Sequence, residues 1–178
     1  MQENLSQKKA VLIIASKDYQ DIEYAETKNA LERAGINTVT ASSRLGEAHG
    51  KLGGKVEVKL TLDQVEIKNF DAIVFIGGGG AAQEYFENVQ AHSLAKKAAE
   101  QKKVIAAICC APMILAKAGI LGERKVTVWP DKNWINELAE KGAKYIDQDV
   151  VVDGKLITGA GPQAAKEFGE AIAKTLFE

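Results

Sequence analysis

Cysteine, histidine and proline are scarce in this chain: its 178 residues contain 2 Cys, 2 His and 3 Pro. The two cysteines, Cys109 and Cys110, are neighbours, so they cannot cross-link distant parts of a fold, and a bridge between them would close a strained ring. They are expected as thiols in a reducing compartment. His49 and His92 stand alone, with no Cys-x-x-Cys or His-x-x-x-His spacing, so nothing supports a zinc site. Long apolar runs are missing too. The stretch from Val104 to Pro112 is far short of the ~20 residues that a membrane span needs. Nor is there an excess of positive charge: 23 Lys and Arg against 24 Asp and Glu leave a net charge of −1, with nothing to neutralise a phosphate backbone. Neither nucleic acid nor membrane is expected as a partner. The polar start, Met1 to Lys9, lacks the pattern of a secretory signal, and the expected location is cytoplasmic.

What is present is enough for a core: 46% of residues are hydrophobic and 26% charged. Lys9 to Ser16 is a continuous apolar run, the pattern of a strand covered on both faces. Ile22, Ala25, Ala30, Leu31 and Ala34 then recur at helical spacing before Gly35 supplies a stop, and Ile36 to Ala41 is again strand-like. This is a βαβ unit. Glycines punctuate the next stretch, where Val56, Val58 and Leu60 alternate as in a small hairpin or edge ribbon. Strands follow at Phe70 to Ile76 and Lys103 to Ile108, with a helix from Ala91 to Lys102 between them. A helix opened by Pro112, a short strand at Val126 to Val128 and a helix from Trp134 to Glu140 come next. Two strands turned by Asp153-Gly154 and a terminal helix from Ala164 to Leu176 complete the pattern. Alternation of this kind predicts a three-layer α/β/α sandwich around a mostly parallel sheet, in one domain over residues 8–178, with residues 1–7 as a loosely ordered tail.

Ligands of open parallel sheets collect at the carboxyl ends of the strands, so the residues just after each strand carry most weight. Cys109 follows one such strand between the small residues Ala107 and Ala111, as a nucleophile elbow requires, and Pro112 suits the first turn of a helix. A thiol at the positive end of a helix is expected to have a lowered pKa. The alternative is a cysteine that merely fills space after a buried strand. Cys110 shapes the pocket or offers a second thiol. Gly77 to Gly80 presents amides without side chains, either an oxyanion hole or a flexible connection, and it matches neither a dinucleotide nor a Walker loop. Asp18, Asp21, Glu23 and Glu26 could all be helix caps and dipole partners, but Glu23 lies further in and could face the thiol. Neither histidine is placed to activate it. Trp129 and Trp134 are either core or the wall of a small pocket.

These residues resemble a known family. Ala106-Ala107-Ile108-Cys109-Cys110-Ala111-Pro112, with Phe75-Ile76-Gly77-Gly78-Gly79 and Asp21-Ile22-Glu23, is similar to the ThiJ/PfpI family over Lys8 to the terminal helix. The resemblance implies a flavodoxin-like sandwich, usually a homodimer, with Cys109 as reactive cysteine, Glu23 as its partner acid and backbone donors at Gly78, Gly79 and Cys110. It implies no cofactor. The chain departs from the family at several positions. Cys110 stands where the peptidase branch has histidine, Trp129 where another branch has histidine, Ala160 where that branch has arginine, and Gln20 where many members have a second glutamate. Trp129 and Ala160 are therefore expected as pocket residues.

Three functions compete. In the first, the Cys109 thiol adds to a small reactive carbonyl or a glycated group, forming a hemithioacetal that Glu23 rearranges, in the manner of a glyoxalase or deglycase. In the second, Cys109 is a redox sensor or chaperone switch through its oxidation. The third, a peptidase or amidase, lacks a base near the thiol. A residue of a partner subunit, such as His49 in the ribbon, is a candidate to complete the site.

Overall fold

The computed structural model describes residues 7–178 of the chain, so all but Gln7 of the expected tail lies outside the described residues. The first apolar run forms β1 (Lys9–Ile13), buried beyond its first residue, and a short strand β2 (Lys17–Tyr19) follows. Helix α1 (Asp21–Arg33) is capped by Gln20, whose side-chain oxygen accepts from the Ile22 N–H at 2.8 Å. Beyond it lie β3 (Asn37–Ser42), β4 (Gly46–Gly50), β5 (Lys55–Val58), β6 (Leu60–Thr61) and β7 (Ala72–Phe75). Helices α2 (Gly79–Tyr85) and α3 (Val89–Glu100) lead into β8 (Val104–Ile108), and α4 (Pro112–Lys117) leaves it. The chain ends with β9 (Lys125–Val126), α5 (Lys132–Glu140), β10 (Lys144–Tyr145), β11 (Val150–Asp153), β12 (Leu156–Gly159) and α6 (Ala165–Leu176).

Seven strands form the main sheet in the order β11-β12-β8-β7-β1-β3-β6, parallel except for β11, which runs against β12. Helices α1 and α6 pack on each other beside β3, β8 and β12, while α3 packs on β7, β8 and α4. With both faces covered, every residue of β7 and β8 is buried, which is why these strands read as unbroken apolar runs. Gly169 lets α6 approach α1 closely, since a methyl group there would lie 2.7 Å from the Ala30 Cβ. The expected α/β/α sandwich with a mostly parallel sheet is therefore observed.

The glycine-rich stretch resolves differently from its expectation. Strands β2, β4 and β5 make a separate three-stranded sheet, whereas Leu60 belongs to the edge of the main sheet. The strand expected over Val126 to Val128 is shorter, and pairs in parallel with β10, which the sequence pattern did not reveal. Helix α2 was also unforeseen. It is pinned by Glu84, whose carboxylate accepts from the Ser16 hydroxyl at 2.6 Å and the Ser43 hydroxyl at 2.7 Å, so that α2 is tied to the segments after β1 and β3.

Candidate active site

Strand β8 ends at Ile108, and the next residue, Cys109, adopts φ 63°, a left-handed conformation that is uncommon and costly for a residue with a side chain. Its backbone is held from both sides: its N–H donates to the Gly159 carbonyl and its carbonyl accepts from the Trp129 N–H, both at 2.9 Å. Ala107 and Ala111 flank it and are fully buried, as the small positions of an elbow are expected to be. Pro112 then opens α4. The Cys109 side chain remains partly exposed, while Cys110 is buried and its Sγ donates to the Gly78 carbonyl at 3.3 Å.

Glu23, in the first turn of α1, is fully buried. One carboxyl oxygen, Oε2, accepts from the Gly77 N–H at 2.8 Å, and Oε1 has no hydrogen-bond partner among the described residues. Burial holds the carboxyl well above the usual carboxylate range, the Cys109 charge beside it adds to this, and the Gly77 N–H opposes it. Burial thus favours the protonated form of Glu23 beside the thiol. The thiol does not follow its expectation. The side-chain interaction with Cys110 pushes the Cys109 thiol up; burial adds to the rise, while the Glu23 acid and the Cys110 N–H pull it down. The elbow position alone does not lower this pKa.

The run of four glycines is required by close packing. A Cβ at Gly77 would lie 2.7 Å from both the Cys109 Cβ and Glu23 Oε2; at Gly78, 2.5 Å from the Asp18 carbonyl; and at Gly80, 1.7 Å from the Lys17 carbonyl. Gly78 also has φ 111°. The glycines press the end of β7 onto the β2 segment and onto the acid–thiol pair. Among the described residues the amides of Gly78, Gly79 and Cys110 donate to no backbone carbonyl.

Above the thiol lies a cavity of about 290 Å³. Its floor is Gly78, Gly79, Cys109 and Cys110. Trp129, 43% exposed, forms one wall together with Trp134 and Pro162, and Gln20, Ala82 and Lys51 complete the lining. The Trp129 ring stands over Gly161, where a methyl group would lie 2.8 Å from Cε3, and Trp134 stacks edge-on against Phe86 with ring centroids 6.0 Å apart. Ala160 is not part of this cavity. Its N–H donates to the Asp149 carbonyl, which turns it toward a separate cleft beside Pro130 and Tyr145. Neither histidine lines the cavity: His49 pairs with Glu47 on the exposed face of β4, and the His92 ring bonds the Phe86 carbonyl. The sequence marks Gly77 as part of the glycine run but not as the amide that holds Glu23, and it does not mark Lys51, which sits in a tight turn with no periodic signal. Among the described residues no group of three His, Cys, Asp or Glu side chains could hold a metal ion, and no helix is long and apolar enough to cross a membrane.

Comparison with known proteins gives a consistent result. The sequence profile described as the DJ-1/PfpI family matches residues 8–175. The chain is 34% identical over 152 residues to a deglycase of Pyrococcus horikoshii, covering 85% of this chain and 90% of that protein. It is 31% identical over 171 residues to a glutathione-independent glyoxalase of Caenorhabditis elegans, covering 96% of this chain and 90% of the relative. The crystal structure of a ThiJ/PfpI domain protein from Brachyspira murdochii superposes with a TM-score of 0.91 at 31% identity, covering 96% of this chain and 98% of that one.

Proposed function

This chain belongs to the DJ-1/PfpI family, and from that premise we propose that it is a cysteine-dependent enzyme acting on reactive carbonyl compounds, of the glyoxalase or deglycase type, with Cys109 as nucleophile and Glu23 as proton carrier. The observation that carries this reading is the buried, neutral Glu23 set against a thiol that opens into a cavity sized for a small substrate. The names of the relatives, deglycase and glutathione-independent glyoxalase, support the same reaction class.

The pair is reactive once it has lost one proton, as thiolate and acid. The Cys109 sulfur bonds to the aldehyde carbon of an α-oxoaldehyde, the carbonyl electrons move to oxygen, and that oxygen takes the Glu23 proton, giving a hemithioacetal and a Glu23 carboxylate. The amides of Gly79 and Cys110 are the donors for the developing negative charge on oxygen. The carboxylate then removes the hydrogen from the sulfur-bearing carbon and returns it to the neighbouring carbonyl carbon, while the hydroxyl proton passes to the neighbouring oxygen. The product is a thioester of a 2-hydroxy acid. Water cleaves the carbon–sulfur bond, releasing the acid and restoring the thiolate and the protonated Glu23. One carbon is oxidised and its neighbour reduced, so the conversion needs no external oxidant or reductant.

Intact-protein mass spectrometry after exposure to methylglyoxal tests the covalent step. The expected result is an adduct of one substrate mass, mapped to Cys109 and absent from Cys109→Ser. No adduct, with Cys109 readily oxidised by dilute peroxide, would replace this reading with that of a redox sensor.

A further inference from the structure

Of the residues that line the cavity above Cys109, Lys51 alone carries a formal charge: the others are glycines, alanine, glutamine, the two thiols, two tryptophans and a proline. Burial favours the protonated form of Glu23 below. Lys51 pairs with no carboxylate within 4 Å among the described residues, unlike Lys28, Lys55 or Lys117. Its turn between β4 and β5 is nonetheless built firmly. The Lys51 N–H donates to the Tyr19 carbonyl at 2.9 Å, and the Asp21 carboxylate accepts from the Leu52 and Gly54 amides, each at 2.7 Å. Gly50 and Gly54 close around that carboxylate, since a Cβ at either would lie within 2.4 Å of an Asp21 oxygen. Asp21 therefore spends its charge on the turn rather than on the ammonium group. Asp18, whose carboxylate lies against Gly79, is not among the residues that line the cavity.

We propose that Lys51 is a specificity-determining residue, selecting carbonyl substrates that carry an anionic substituent, a carboxylate or phosphate, on the side of the molecule away from the carbon that Cys109 attacks. This rests on the proposed reaction at Cys109. A lone cationic residue among the lining of a cavity with aromatic walls favours an anion over its neutral isostere, and long-range attraction raises the rate of capture as well. Asp21 acts as a positioning residue through the turn it clamps.

The test separates this inference from the reaction itself by using two alkylating probes of nearly equal size, anionic iodoacetate and neutral iodoacetamide, each of which transfers one alkyl group to sulfur and releases iodide. Rates at Cys109 are read by mass spectrometry of the labelled peptide, with Cys109→Ser as control. The ratio of the two rates cancels any change in thiolate fraction. In Lys51→Met the iodoacetate-to-iodoacetamide ratio is expected to fall about two- to fivefold, the range of a solvent-accessible ion pair. Lys51→Arg should keep the wild-type ratio, and added salt should lower the ratio in the wild type but not in Lys51→Met. Equal ratios in wild type and Lys51→Met would overturn the assignment, whether or not the protein turns over methylglyoxal. A ratio that falls as expected, in a protein without carbonyl turnover, would leave the anion selectivity standing and remove only the reaction assigned to Cys109.

Discussion

Glu23 and Cys109, brought from the first turn of α1 and the end of β8, meet under the Gly77 backbone, with one Glu23 oxygen on the Gly77 amide and the thiol beside the carboxyl. The contact combines two costs: a carboxyl group taken wholly out of water and a side-chain-bearing residue held at φ 63°. Both are located at one point of the sheet, where the glycine run allows the approach.

Replacing the acid should stabilise the fold in a pH-dependent way. The ordinary Glu value is 4.5, and Glu23 is raised well above it by burial. Below the ordinary value the group is protonated in both the folded and unfolded chains and costs nothing. As pH rises the unfolded chain ionises first, so the folded state loses stability until the folded carboxyl also ionises. Glu23→Gln keeps an acceptor for Gly77 and cannot ionise. Urea unfolding should show its advantage over wild type growing by about 1.4 kcal/mol per pH unit across that interval. An advantage independent of pH would contradict a neutral Glu23.

The side-chain interaction with Cys110 is the largest cause that raises the Cys109 thiol, and the Cys110 Sγ donates to the Gly78 carbonyl. Cys110→Ala removes that interaction. The pH profile of iodoacetamide labelling at Cys109 should shift to lower pH in the variant, with faster labelling at neutral pH. An unchanged profile, or one displaced upward, would show that Cys110 does not hold the Cys109 proton in place.

Gly80 is the tightest of the four glycines, because an added Cβ would sit 1.7 Å from the Lys17 carbonyl. Backbone faces backbone there, so no side chain can swing aside. Gly80→Ala should lower stability by about 3 kcal/mol or more in chemical denaturation. Gly35→Ala, where no atom lies within 4 Å of the added group, should cost less, through its positive φ of 80° alone.

The sandwich was legible because β1, β7 and β8 are buried on both faces and their apolar runs are continuous. Of the short paired segments, β9 was legible only in part, as a strand over Val126 to Val128, and β10 not at all, since two residues cannot express a period. Helix α2 begins with Gly79 and Gly80, each costing about 1 kcal/mol of helix propensity, and is held by Glu84 and by packing that tolerates no Cβ. At the site, Cys109 stood out through its alanine flanks, whereas Glu23 among four neighbouring acids had only its depth in the helix to distinguish it. Its burial is a property of the assembled sheet. Ala160 was misplaced because position after a strand does not say which way the chain turns, and its hydrogen bond to Asp149 turns it out of the cavity. Lys51 depends on a turn fastened by Asp21, a contact between segments that no local pattern encodes.

The most direct measurement is the fate of methylglyoxal given to the purified protein without glutathione, followed by NMR for the 2-hydroxy acid, beside Cys109→Ser. Steady accumulation of lactate with the wild type and none above background with the variant is the predicted result. Equal lactate from both proteins, or none from the wild type, would contradict a thiol-dependent conversion at Cys109.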